Sequence, residues 1–429
     1  MDARYRTSEE LLERALRTIP LGSQTFSKSL TQFPRGVSPF FVTHGKGCRV
    51  WDADGNEYID FINALAAVLL GYQDPDVNRA VHEQLDRGVT FSLAHPLEME
   101  VAEKLVATIP CAEMVRFGKN GSDATAGVIR LARAQTGREH VAVCGYHGWQ
   151  DWYIGSTLRH KGVPEPTRSL THVFTYNDIA SLEKLFAEWP NQIAAVILEP
   201  VNVTPPTDDF LQKVAKVTRQ NGALLVFDET ITGFRFALGG AQEYFGVTPD
   251  LATFGKGLAN GLPLSAVVGR RDLMKEMEEI FFSFTFGGET LSLAAASATL
   301  DKLSREKVVP SLWQHGARLM ELLAGRIERH GVGSFLSIGG YPVWSFLLVK
   351  DAGNVSQWSI RTLLFQELFQ RGILFIGTHN LCYAHGDAEI DRLMEVYDEV
   401  FPLLRRAVLE GEMERLLRCA PIQPLFRVR

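Results

Sequence analysis

The stretch that decides the fold is Ala223–Arg235, ALLVFDETITGFR, read together with Leu251–Gly257, LATFGKG. Each opens on a short apolar run of strand length and breaks off into charge: Asp228-Glu229 in the first, Lys256 between two glycines in the second. A continuous apolar run fits a strand covered on both faces, as in a mostly parallel sheet flanked by helices. Working outward, the same pattern recurs at Val141–Cys144, followed by Gly145-Tyr146-His147-Gly148-Trp149, and at Ala194–Leu198, followed by Glu199-Pro200. Ser265–Val268 is a fifth run. Between them lie amphipathic helices. Phe210, Val214 and Val217 mark one face of such a helix, with Asp208 or Asp209 as its expected N-cap and Gly222 as its stop. The expectation is an α/β fold with a mostly parallel central sheet.

In open α/β sheets ligands bind outside the carboxyl ends of the strands. Four successive runs end there in polar or aromatic groups. Gly and Pro alone would satisfy ordinary turns; an acid, a lysine and an aromatic ring demand more. Asp228 reads either as a turn or cap acid or as the partner of a protonated pyridine nitrogen, whose proton an adjacent carboxylate retains. Lys256 reads either as a loop cation or as a desolvated amine that condenses with an aldehyde, the flanking glycines letting the backbone come close to a ligand. Phe117–Ala124, FGKNGSDA, opens a helix with Ala124, Val128, Leu131 and Ala132 on its inner face. Its first amides suit an anion, with Gly121 and Ser122 as contacts, although Ser and Asp are also ordinary caps. Tyr146 is the candidate ring to stack on a planar cofactor. Together these point to pyridoxal 5'-phosphate (PLP).

Elsewhere, Arg49–Phe61 alternates around Asp54-Gly55 as a β-hairpin, and Glu9–Thr18 carries helical spacing. Three segments are expected: residues 1–60 joining a small domain and the active-site entrance, 61–304 as a large PLP-binding domain, and 305–429 completing the small domain. The chain of 429 residues is 46% hydrophobic and 22% charged with a net charge of −6, which argues against a nucleic-acid or anionic-membrane partner. No signal peptide is read at the N-terminus, and the longest early apolar stretch, Ala64–Leu70, is too short for a bilayer. Cys48, Cys111, Cys144, Cys382 and Cys419 share no metal-ligand spacing, so free thiols in a cytoplasmic protein and no metal site are expected.

These motifs, in this order and over nearly the whole chain, resemble the class-III aminotransferases, which are fold-type I PLP enzymes. RVWDADGNEYIDF is similar to that family's V-x-D-x-D-G-x-x-Y-I-D segment, NGSDATAGVIRLAR to its S-G-T-E-A motif and helix, DETITGFR to D-E-V-x-T-G-F-R, and FGKGLANGLP to its lysine loop. The resemblance implies that Lys256 is the Schiff-base lysine and general base, that Asp228 pairs with the pyridine nitrogen, that Gly121 and Ser122 bind the phosphate, and that Tyr146 covers the ring. It implies too that Thr285 reaches the phosphate of a neighbouring subunit, making a homodimer with shared active sites, and that Glu199 supports the cofactor. Within the family the chain is most similar to the glutamate-1-semialdehyde aminomutase-like proteins. It departs from them at Gly22–Lys28, GSQTFSK, where an arginine is expected, and at Gly288-Glu289-Thr290 in place of Gly-Asn-Pro. Lys28 is a point charge that cannot fork onto a carboxylate. The first functional expectation is therefore amino transfer between a donor and a small oxo substrate, sugar-like or a natural-product intermediate. A 2,1-aminomutase is the alternative, and a non-catalytic PLP-binding regulator a third. Gln24, Lys28, Trp149, Glu289, His379 and Asn380 are the candidate substrate contacts.

Overall fold

The computed structural model describes residues 3–423. The described chain divides into two bodies: Ala66–Leu69 with Pro75–Val309 make one, and residues 3–65, Leu70–Asp74 and residues 310–423 make the other.

The first body is built on a seven-stranded sheet. In spatial order its strands are Met114–Gly118, Ser265–Gly269, Leu251–Phe254, Leu224–Asp228, Ile193–Leu198, His140–Cys144 and Thr171–Val173. Ser265–Gly269 runs antiparallel to both of its neighbours, and the remaining pairings are parallel. All five expected runs are strands. The sheet has two more at its edges, which lack the apolar signature because an edge strand is only partly covered: Met114–Gly118 carries an exposed Arg116, and Thr171–Val173 ends in an exposed Val173. The helix Gly121–Thr136 lays Ala124, Val128, Leu131 and Ala132 onto Val141, Val143, Ala195, Ile197, Val226, Leu251 and Val267, all buried. Each large aliphatic side chain so buried contributes about 1.5–3 kcal/mol. The helix after Ile193–Leu198 spans Phe210–Gln220, and its chain reverses at Gly222 with φ +66°. Asp209 sits at its N-cap in the left-handed region and makes no side-chain capping bond, unlike the expectation. The body's decisive feature is that the strands ending at Phe254, Asp228, Leu198 and Cys144 are parallel neighbours, so their carboxyl ends share one edge.

In the second body the expected hairpin forms: Arg49–Asp52 pairs antiparallel with Glu57–Asp60 around Gly55, whose φ is +84°. Val42–Lys46 and Ile373–Leu374 complete that sheet. The first helix is Arg6–Ala15, shifted toward the N-terminus from the expected span. A second sheet joins Leu336–Tyr341, Trp344–Val349 and Thr378–His379. Among the described residues no helix is long and apolar enough to cross a membrane.

Candidate active site

Asp228 is the last residue of its strand and is 4% exposed. Its strand partner Thr253 donates from Oγ1 to Oδ1 at 3.1 Å, and the Thr230 amide donates to the same oxygen at 3.1 Å. His147 Nδ1 lies 2.8 Å from Oδ2, while His147 Nε2 lies 3.2 Å from the Cys144 carbonyl, so both ring nitrogens face acceptors. Burial works to raise the Asp228 pKa; the hydrogen bond and attraction of His147, helped by Thr230, outweigh it and hold the carboxyl below the usual carboxylate range. An ionised carboxylate accepts about four hydrogen bonds. Three donors are in place, which leaves room for one more.

Lys256 leaves the sheet just beyond Thr253 and Phe254. It opens a 3-10 turn, Lys256–Ala259, at φ +42°, a left-handed conformation that costs a non-glycine residue on the order of 1–3 kcal/mol. The loop is pinned where Asn260 Oδ1 accepts the Leu69 amide at 2.8 Å. Strain held in place by such a bond puts this half-buried lysine at the same sheet edge as Asp228.

The helix start at Gly121 is closed by a capping box, Asn120 with Asp123. Asp123 Oδ2 accepts the Lys119 and Asn120 amides at 3.0 Å each. The amides of Gly121 and Ser122 make no hydrogen bond among the described residues, so two donors and the positive end of a 16-residue helix point outward. The turn 145–149 crosses close by. Gly148 sits at φ +102°, and a Cβ there would lie 2.3 Å from Ser122 Oγ, which instead accepts the Trp149 amide at 3.2 Å. Gly145, at φ +106°, leaves similar room for Glu199. Glu199 Oε2 accepts from the Tyr146 amide and from Asn202 Nδ2, each at 3.0 Å, and so holds the turn that presents Tyr146. The Tyr146 ring is 40% exposed and stands edge-on to Tyr153.

Of the residues singled out from sequence, Asp228, Lys256, Gly121, Ser122, Tyr146, Glu199, Trp149, Thr285 and Glu289 lie in the sheet body; Gln24, Lys28, His379 and Asn380 lie in the other. Trp149 is largely exposed beside Tyr146. Thr285 is on an exposed turn between the exposed Phe281 and Phe286. Glu289 caps the helix Thr290–Arg305 and pairs with Lys119 at 3.0 Å. Gln24 and Lys28 are exposed in the short turns after the first helix. His379 and Asn380 are interior residues of the second body. His379 is fully buried, with Nδ1 3.1 Å from Ser345 Oγ and Nε2 2.9 Å from Tyr397 OH. Asn380 is buried too; its Nδ2 donates to Ile62 O at 2.8 Å, and its carbonyl accepts from Asn63. His379 is committed to the core of its body, whereas the Asn380 Oδ1 is buried without a hydrogen-bond partner among the described residues.

Sequence reading gave no role to His147, Thr253 or Lys119. Thr253 carried a signal, a lone hydroxyl inside a buried apolar strand. His147 carried little, because its partner Asp228 is 81 positions away.

PLP fits the residues present. Besides the two outward amides and the open acceptor position on Asp228, Thr230 Oγ1 and Ser265 Oγ are buried without a hydrogen bond of ordinary geometry. Thr230 lies 3.0 Å from where a Gly121 Cβ would stand, and both side chains are within 4 Å of where a Gly255 Cβ would stand. An unsatisfied buried hydroxyl costs about 1–3 kcal/mol, and a polar ligand in this glycine-lined space relieves it.

Fold and site define the class: a fold-type I PLP-dependent enzyme. Known proteins agree with that class. The Aminotransferase class-III family model matches residues 32–385. The chain is 34% identical over 402 residues to the 3-aminobutyryl-CoA aminotransferase of Cloacimonas acidaminovorans (strain Evry), covering 91% of this chain and 96% of that one. It is 34% identical over 427 residues to the glutamate-1-semialdehyde 2,1-aminomutase of Aquifex aeolicus (strain VF5), covering 94% and 99%. The structure of the FumI protein of Sphingopyxis sp. MTA144 with PLP superposes with a TM-score of 0.87 at 29% identity, over 97% of this chain and 99% of that one. The chain belongs to the class-III aminotransferases.

Proposed function

We propose that this enzyme transfers an amino group between a small-molecule donor and a polar oxo substrate, with Lys256 and Asp228 as its catalytic pair. The observation that carries the reading is the Asp228 carboxylate, kept ionised in a buried site with one acceptor position unused, at the sheet edge from which the strained Lys256 loop departs. When bound there, PLP supplies an electron sink for bonds at the amine-bearing carbon. The residues supply the rest. Asp228 accepts the pyridine N–H and keeps that proton in place; His147 and Thr253 hold Asp228. Gly121 and Ser122 take the phosphate through their amides, and Tyr146 covers the ring face. Lys256 Nζ anchors the cofactor and, once the donor amine displaces it, moves a proton at the amine-bearing carbon of the substrate. Glu199 acts by holding Tyr146.

We place Thr285 at the phosphate of a neighbouring subunit in a homodimer with shared sites; the exposed Phe281 and Phe286 beside it support an apolar contact there. Exposed Gln24 and Lys28, with Trp149, are the contacts we assign to a hydroxylated or phosphorylated oxo substrate. Five free thiols support a cytoplasmic location. The similarity to an aminomutase favours a second reading, intramolecular 1,2-amino migration. Turnover of the purified enzyme with amino donors and oxo acceptors, each supplied alone and then together, separates the two. Transamination requires both substrates, whereas product from a single α-amino aldehyde without a donor establishes the mutase.

A further inference from the structure

We infer that the Lys119–Glu289 ion pair is a positioning device that ties the phosphate-binding turn to the Thr285 loop, so that phosphate bound at one end orders the other. The inference rests on the cofactor reading under Proposed function.

Glu289 bonds in two directions. As the N-cap of Thr290–Arg305 it accepts the Leu291 amide on Oε1 at 2.7 Å, and the Ser292 amide and hydroxyl on Oε2 at 3.2 and 2.6 Å. Asparagine, aspartate or serine cap as well with a shorter side chain. The extra length of glutamate lets Oε2 also accept from Lys119 Nζ, at 3.0 Å. The pair is 17% and 13% exposed, against 75% and 49% for the surface pair Lys184–Glu188. Exposed pairs contribute little, but removing one member of a desolvated pair strands the other charge. Burial pushes the Glu289 carboxyl up, yet Ser292, Lys119 and the Leu291 amide together hold it below its usual range, so it stays charged at working pH.

Each end of the bridge is fixed. Lys119 immediately precedes the capping Asn120, and its amide is bound by Asp123 of the helix whose first amides face the phosphate. On the other side the Glu289 amide donates to Phe286 O at 3.2 Å and the Gly287 amide to Phe284 O at 3.0 Å, closing the turn that carries Thr285. Thr290 Oγ1 donates to the Gly88 and Val89 carbonyls at 3.0 Å each and anchors the start of the helix. The route from Gly121 to Thr285 is thus continuous, and the ion pair is the side-chain span that completes it.

Amide hydrogen exchange with and without PLP, read at residues 121–124 and 284–289, tests this. PLP is expected to slow exchange at both places in the unaltered protein. Lys119→Met keeps the stem and leaves Glu289 free to cap; Glu289→Asn keeps a cap but cannot reach Lys119. In both variants protection at 121–124 persists, protection at 284–289 falls, and the Kd for PLP rises roughly 10- to 150-fold, the range for a hydrogen bond to a charged group. Undiminished protection of 284–289 in Lys119→Met overturns the inference, as does loss confined to Glu289→Asn, which marks a cap and nothing more. Absence of protection at 121–124 in the unaltered protein overturns the cofactor reading itself.

Discussion

Two buried histidines show how alike burial can be and how different its use. His147 is 1% exposed and His379 fully buried, and each has a partner at both ring nitrogens. His147 faces the carboxylate of Asp228 at the open carboxyl edge of a parallel sheet, in a body where amides and hydroxyls are left over nearby. His379 sits between the hydroxyls of Ser345 and Tyr397, and burial pushes its pKa down to about 3. The first network holds a charge and has an acceptor to spare, as a binding site needs. The second is neutral and closed, as a core needs. A buried histidine is thus no guide to function by itself; the charge beside it and the donors left unused are.

The largest effect should come from Lys256→Ala. It removes both the proton carrier and the cofactor anchor, and turnover should fall by about 10⁴-fold or more in steady-state assays. Asp228→Asn keeps the shape of the open network but deletes its charge. It should lower kcat/KM by about 10²- to 10³-fold and weaken PLP binding, measured by titration at about 25 °C. Survival of full activity in that variant would break the distinction between the two networks. Gly148→Ala should cost about 1–3 kcal/mol in urea unfolding, because φ +102° is strained for alanine and its Cβ would meet Ser122 Oγ. That distortion lies at the helix start, so PLP affinity should fall with stability.

The smallest effect on catalysis belongs to the closed network. His379→Gln should leave kcat/KM unchanged while costing about 1–3 kcal/mol of stability at about pH 8 through a disrupted buried hydrogen bond. Its pH signature follows from linkage. The His379 pKa is depressed from 6.5 to about 3, so the unfolded chain binds the proton more readily. Its contribution is fully present above pH 6.5 and is lost as pH falls from there toward 3. His385, pushed down by burial to about 4, acts in the same direction. Unfolding free energies between about pH 8 and 4 should therefore fall less steeply in His379→Gln than in the unaltered protein; equal slopes would remove His379 from the account.

The contrast also shows what a sequence makes legible. Strands buried on both faces write unbroken apolar runs, so the five inner strands, and the charges that follow their apolar runs at Asp228 and Lys256, stand out. Edge strands such as Met114–Gly118 and Thr171–Val173 are half covered and mix their residue types, and nothing in their composition separates them from loop. Contacts across the fold are hidden for another reason. His147 meets Asp228 from 81 positions away, and Lys119 meets Glu289 from 170. The same holds for His379 in Thr378-His379-Asn380. Its partners Ser345 and Tyr397 lie 34 and 18 positions from His379, and only the folded second body, with Ser345 on a neighbouring strand and Tyr397 on the helix Asp387–Leu409, closes them around it.

The central claim is covalent: the ε-amine of Lys256 carries the cofactor. Incubation with PLP, reduction with borohydride and peptide mapping by mass spectrometry measure this directly. The account predicts a pyridoxyl group on the peptide containing Lys256, and none there in Lys256→Ala. A label on a different lysine, or no label in protein that titrates fully with PLP, would contradict it.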